Sequence, residues 1–299
     1  MATRDDAEPE VRIGLVGDMH GAFDPVDAEQ LDARGYERIL FVGDLGPGTL
    51  EGDRKVARAI ARLRTPVMVM PGNNDCEHAP VLRAELGHQR GLTTLLRQSG
   101  AGHRSALLGA SGDVTFCGYG VHVVRVGEAG VTIVSGRPYA MGGSELSFPE
   151  ALAERHGVSS LDASRDRLVA CVDAAETEAI LFLAHNGPTG LGAEPGSMWG
   201  NDFEEAGGDH GDSDLRDAID HALAKGRRVL GVIAGHMHSP IRSGGERPWH
   251  DRRDGVLYLN PACVPRIVSD ARGVRRHHVA LRLTERRLDA EALWLDEDG

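Results

Sequence analysis

Three short apolar runs within residues 11–75 share one kind of ending: VRIGLVGDMH (11–20), ERILFVGDLG (37–46) and TPVMVMPGNND (65–75). Each run is strand-length and rich in Val, Ile, Leu or Met, and each stops at a Gly followed by Asp or Asn. Between them, residues 24–34 place Val26 and Leu31 among charges at helical spacing, and residues 50–63 put Val56, Ile60 and Leu63 on one helical face. Strand, helix, strand, helix, strand is the alternation of an α/β protein. In such sheets ligands collect at the carboxyl ends of the strands. Asp18, Asp44 and Asn73 are therefore expected to meet in space.

Outward from this segment the alternation continues more loosely. The spacing predicts a helix over 79–98, then Gly-separated strands over 114–117, 121–126 and 131–134. A helix is expected over 159–175 and a buried strand over 180–184, ending in His185. Residues 212–225 read as a helix with Ser213 as its N-cap. A strand over 229–234 ends in Gly235-His236, and residues 256–259, 267–268, 278–283 and 290–295 read as further β structure. No repeat or composition shift divides the chain. One domain over 11–299, built of two facing sheets, is expected after a flexible tail at 1–10. An insertion is expected around 76–180, and 187–211 has the Gly-rich, acidic character of a lid loop.

The bulk properties narrow the function classes. The chain has 299 residues, a hydrophobic content of 41% and a formal net charge of -12. That length can bury a large core. That charge repels phosphate backbones, so general nucleic-acid binding is not expected. No apolar stretch is long enough to span a bilayer, and the acidic N-terminus does not read as a signal peptide. Four cysteines without a CxxC pair suit reduced thiols in a cytoplasmic protein. The oligomeric state is left open.

Five elements carry chemistry, and each follows an apolar run: Asp18-Met19-His20, Gly43-Asp44, Gly72-Asn73-Asn74-Asp75, His185-Asn186 and Gly235-His236-Met237-His238. Taken singly, each could be an ordinary turn. As an ordered set they offer carboxylate, amide and imidazole donors with no thiolate. That inventory suits Mn, Fe or Zn in two adjacent sites and fits Cys-rich structural zinc poorly. Two cations about 3.5–4 Å apart can clamp the attacking and leaving oxygens of a phosphoryl displacement and acidify a water between them.

The order Asp-x-His, Gly-Asp, Gly-Asn-x-Asp, His, Gly-His-x-His resembles the metallophosphoesterase (calcineurin-like phosphoesterase) superfamily, from Val11 to about Pro265. The resemblance implies a β-sandwich of two mixed sheets flanked by helices. It also implies a hydroxide held between two divalent metals that attacks phosphorus in line. By position, Asp18, His20 and His238 would hold one metal, Asn73, His185 and His236 the other, and Asp44 would bridge them. Many relatives carry His after the Asn, where it protonates the leaving group; here the residue is Asn74, an amide that cannot act as an acid near pH 7. His210, beside Asp209 in the Gly-rich loop, is the candidate replacement. Arg137 is a candidate for binding a substrate phosphate. The segment Gly43-Asp44-Leu45-Gly46-Pro47 departs from the protein phosphatase pattern. The expected function is thus a metal-dependent phosphodiesterase. The alternatives are a phosphomonoesterase of a small metabolite and a non-catalytic scaffold of the same fold. His277 and His278 are expected on the surface, and His103, His122, His156 and His221 in structural roles.

Overall fold

The computed structural model describes residues 8–80, 82, 84, 86, 114–204, 207–271 and 273–296. The helix expected over 79–98, the position of His103 and most of the 1–10 tail fall largely or wholly outside them. Two mixed sheets face each other. The first contains β1 (Val11–Val16), β2 (Arg38–Phe41), β3 (Val67–Val69), β4 (Val114–Phe116), β11 (Ile267–Asp270), β12 (Gly273–Leu283) and β13 (Leu288–Asp296). Its order is β11-β12-β1-β2-β3-β4, with β13 also paired to β12. The second contains β5 (Gly120–Val126), β6 (Ala129–Ser135), β7 (Ala179–Leu183), β8 (Arg228–Ile233), β9 (His250–Arg253) and β10 (Val256–Leu259), in the order β5-β6-β7-β8-β10-β9. The central pairs β1-β2-β3-β4 and β6-β7-β8-β10 are parallel, while β12, β5 and β9 pair antiparallel.

Side-chain alternation along the strands explains the three apolar layers. Ile13, Leu15, Leu40, Val42, Met68 and Met70 point inward and meet Ile133, Leu181, Leu183, Ile233 and Leu259 of the second sheet. The alternate residues Val16, Ile39, Phe41, Val67 and Val69 face outward onto Val56 and Ile60 of α2 (Leu50–Ile60) and Leu31 of α1 (Pro25–Ala33). On the far side, Val134, Ile180 and Phe182 pack against α3 (Pro149–His156), α4 (Leu161–Asp173) and α5 (Ser213–Ala224) through Leu152, Leu168 and Ile219. Strands buried on both faces read as continuous apolar runs, which is why the parallel strands are visible in the sequence.

Within the stretch 76–180, the described residues supply β4 to the first sheet and β5 and β6 to the second. Several expectations need correction. Asp212, not Ser213, is the N-cap of α5, and it caps without its side chain because that carboxylate is spent on Arg137. Helix α3 is not among the expected elements: only eight residues long, it is marked by Pro149 at its start and by Gly157 (φ 70°) at its end. Strand β9 is unexpected too, because His-Asp-Arg-Arg at a sheet edge has no apolar alternation.

His277 and His278 are buried, not surface residues. Their strand lies between β1, β11 and β13, and the His278 ring meets the Tyr36 hydroxyl at 2.7 Å. Burial and the charge of Arg266 lower His277 to about 4 and His278 to about 3. Burial and Arg38 lower His122 to about 4. In the unfolded chain these groups titrate near ~6.5. Between those limits the unfolded state binds more protons, so stability falls as pH drops below about 6.5 and levels off only below the folded values. The urea midpoint is expected to fall across that window. His122→Phe, which removes one titration, should show a shallower slope; an unchanged slope would refute the assignment of His122 to this effect.

Candidate metal centre

The donor residues lie where the five central strands end. Asp18 and His20 follow β1, Asp44 follows β2, Asn73 and Asn74 follow β3, His185 follows β7, and His236 and His238 follow β8. Three of these residues sit in the left-handed region despite carrying side chains: His20 (φ 45°), Asp44 (φ 48°) and His236 (φ 69°). Such strain is retained where the surroundings over-determine the backbone, commonly at functional sites. Here the Asp44 carbonyl accepts from the amides of Met19 (3.0 Å) and His20 (2.8 Å), tying the first two loops together. Asp75 ties in the third: its carboxylate accepts from Leu45 N at 2.9 Å and Gly72 N at 2.8 Å. The sequence motif contains Asp75 but gives it no task.

Two three-donor groups result. Ligand atoms of Asp18, His20 and His238 lie within 4.8 Å of one another, and so do those of Asp44, His185 and His236. Asp44 faces both groups, with Oδ2 3.7 Å from His20 Nε2 and Oδ1 3.5 Å from His185 Nε2. The Asn73 amide oxygen is 2.9 Å from His185 Nε2. His20 Nε2 and His238 Nε2 approach to 2.9 Å, and His238 Nε2 lies 3.6 Å from Asp18 Oδ2. The His185 Nδ1–H donates to the Val42 carbonyl at 2.7 Å. A carbonyl can only accept, so this bond turns the Nε2 lone pair toward the centre, as a ligand requires.

The electrostatics fit a cation site. Asp44 is held above the usual carboxylate range by burial and by the charge of Asp18. In Asp18 the effect of burial is outweighed by the His238 hydrogen bond and the neighbouring imidazoles, and it lies below that range. His185 is raised because the Asp44 and Asp18 carboxylates overcome its burial. His236, desolvated and beside His185, is lowered to about 3 and stays neutral. Asp75 is raised to about 7 by burial and then by Asp44. Crowded carboxylates facing imidazole nitrogens are what a divalent cation neutralises.

Glycines allow the approach. A Cβ at Gly72 would stand 2.2 Å from Asp44 Oδ1, and one at Gly235 would stand 2.1 Å from Asp18 Oδ1. Asn74 is spent on Asp44, whose Oδ1 and Oδ2 accept from its backbone N–H and side-chain amide, each at 2.9 Å.

The described part of the 187–211 loop is fastened beside the centre by hydrogen bonds. The buried Trp199 donates its indole N–H to the Gly235 carbonyl at 3.0 Å. Arg247 donates to the carbonyls of His238 (2.7 Å), Ser197 (2.8 Å) and Gly200 (3.0 Å). Asn260 donates to the Met237 carbonyl at 2.6 Å. The loop is thereby pinned along Gly235-His236-Met237-His238. No motif marks Trp199, Arg247 or Asn260, because their work is done on backbone carbonyls.

This fastening brings His210 to the site. Its amide donates to the Trp199 carbonyl at 2.9 Å, and its ring stacks on His236 at 6.2 Å with planes 18° apart. Arg137 is elsewhere. Its guanidinium is buried and paired to Asp212 and Asp214, so the structure does not place it to meet a substrate phosphate.

The sequence profile of the calcineurin-like phosphoesterase family matches residues 11–240. A protein of Thermus thermophilus superposes with a TM-score of 0.53 at 13% identity, covering 94% of this chain and 98% of its own. A dimetal phosphatase from Danio rerio superposes with a TM-score of 0.53 at 11% identity, covering 95% and 99% respectively. No curated protein matches the chain.

Proposed function

Because the chain belongs to the calcineurin-like phosphoesterase family, we propose that it hydrolyses phosphate esters at a centre of two divalent cations, and diesters in preference to monoesters. One observation carries the reading: two three-donor groups lie side by side, and the Asp44 carboxylate, a donor of the second, also faces His20 of the first. Asp18, His20 and His238 would hold one cation and Asn73, His185 and His236 the other. Mn, Fe or Zn suits this oxygen and imidazole set. When bound, the pair would supply Lewis acidity toward the phosphoryl oxygens and a water acidified toward neutral pH. Three of the four thiols are buried, and all four are free, in keeping with a cytoplasmic setting.

The chain's own groups divide the remaining work. Asn74 keeps Asp44 in place through two hydrogen bonds and supplies no proton. His210, stacked on His236, is the group we assign to protonate the leaving oxygen. An ester that leaves readily needs little such help. The acidic chain also repels a monoester dianion more than a diester monoanion.

Bis-p-nitrophenyl phosphate is therefore expected to be hydrolysed faster than p-nitrophenyl phosphate at equal concentration in Mn²⁺-loaded protein; the reverse order would favour the monoesterase reading. His210→Ala should lower kcat by about 10²–10⁴-fold on diesters with alkyl leaving groups. The loss should shrink toward none for p-nitrophenolate. A loss of equal size on both leaving groups would remove His210 from the proton-donor role.

A further inference from the structure

A staircase of rings leads out of the metal centre. His236 stacks with His210, and Phe203 stands edge-on to His210 at 4.9 Å and 89°. Among the six large apolar side chains exposed within the described residues, Phe203 (39% exposed) is the one whose ring touches a ring of the site. Above it lies the Arg242 guanidinium, 5.9 Å from the ring centroid. Among the described residues, no carboxylate pairs with that guanidinium.

This shelf is held in place. The Asn201 side-chain oxygen accepts from Phe203 N at 3.0 Å and Glu204 N at 3.1 Å, fixing the turn that presents the ring. Asp202 joins the two halves. Its Oδ2 accepts from Arg242 N at 2.8 Å, and its Oδ1 pairs with Arg247 at 3.2 Å. Arg247 is the same residue that binds the His238 carbonyl. The ring and the cation are thus anchored to the strand end that carries two of the site histidines. The part of the Phe203 ring open to water, beside His210, is apolar area that a flat group of a ligand would bury favourably. A guanidinium beside an aromatic face recognises flat, electron-rich or anionic groups by stacking and charge.

We propose that Phe203 and Arg242 form a specificity subsite that stacks a planar aromatic group of the phosphoester substrate. The inference rests on the phosphoesterase reading above and adds the substrate class: esters of aromatic or aromatic-bearing alcohols. His210 lies between the shelf and the centre, in ring contact with Phe203 on one side and His236 on the other.

Two non-hydrolysable anions separate the ideas, benzylphosphonate and methylphosphonate, each titrated by calorimetry into the Mn²⁺-loaded full chain. Wild type is expected to bind benzylphosphonate about 5- to 100-fold more tightly. Phe203→Ala should abolish that preference and leave methylphosphonate affinity unchanged, while Phe203→Trp should keep it. Equal binding of the two anions by wild type, or an equal loss of both in Phe203→Ala, would sink the subsite and leave the phosphoesterase reading standing. Binding of neither anion would overturn both. Because Phe203 is exposed, circular dichroism of the alanine variant should match wild type.

Discussion

Asp44→Asn protein, stripped with chelator and returned to Mn²⁺, is expected to hydrolyse bis-p-nitrophenyl phosphate at least about 10³-fold more slowly than wild type treated identically. The size follows from what the carboxylate does. Its two oxygens face two imidazoles from opposite groups, His20 and His185, so one side chain serves both halves of the centre. An amide keeps the shape but brings no negative charge, and it offers one acceptor where the carboxylate offers two. Several kcal/mol of charge stabilisation depend on cations being held, and each ~1.36 kcal/mol is a factor of ten in rate. A second readout keeps the result interpretable: the variant should bind fewer Mn²⁺ equivalents at equilibrium than the wild type. Wild-type rates in Asp44→Asn would remove the shared-carboxylate centre from the reaction. A folded wild-type protein that binds no divalent metal would move the weight to the scaffold alternative.

How much of this is legible in the sequence? The seven candidate donors stand out because their motifs follow strands whose apolar runs are easy to see, and every one of those motifs except the one at His185 sits behind a Gly. Gly72 and Gly235 leave no room for a Cβ against Asp44 and Asp18. The central parallel strands are visible for the same reason. The polar edge strand at 250–253 and the short helix at 149–156 are not, because neither has enough apolar residues to show a period. His277 and His278 mislead because their burial is created by β11, β13 and Tyr36, which are distant from them in sequence or weakly patterned. The groups that fasten the loop are invisible for a different reason. Trp199, Arg247 and Asn260 act on main-chain carbonyls, and a carbonyl leaves no mark on the identity of the residue that owns it. Arg137 shows the limit most clearly, since an arginine in a loop-like Ser-Gly-Arg-Pro reads equally well as a phosphate binder or as a buried counter-ion.

The two readings of Arg137 predict opposite measurements. The guanidinium donates to Asp214 Oδ2 from Nε at 2.9 Å and to Asp212 from a terminal nitrogen, and Ser164 also donates to Asp214. All three charged side chains are buried. Burial and the charge of Asp214 push Asp212 up to about 6 even with the arginine beside it, and the two carboxylates hold Arg137 above its ordinary value against its own desolvation. Without the cation, two acidic groups would face each other away from water. Removing one partner of a buried ion pair costs about 3–5 kcal/mol, much of it the penalty of the charge left behind. Arg137→Ala should therefore lower the urea midpoint by an amount equivalent to about that loss. The α5 N-cap at Asp212 would be disturbed with it, and that residue also donates its amide to the Gly187 carbonyl at 2.7 Å. Below the unfolding transition the variant's KM should be near wild type. Adding Asp212→Asn and Asp214→Asn should recover part of the stability, because neutral amides no longer need the cation. A phosphate-binding arginine would give the reverse pattern: a raised KM, an unchanged urea midpoint, and no recovery from neutralising the two carboxylates.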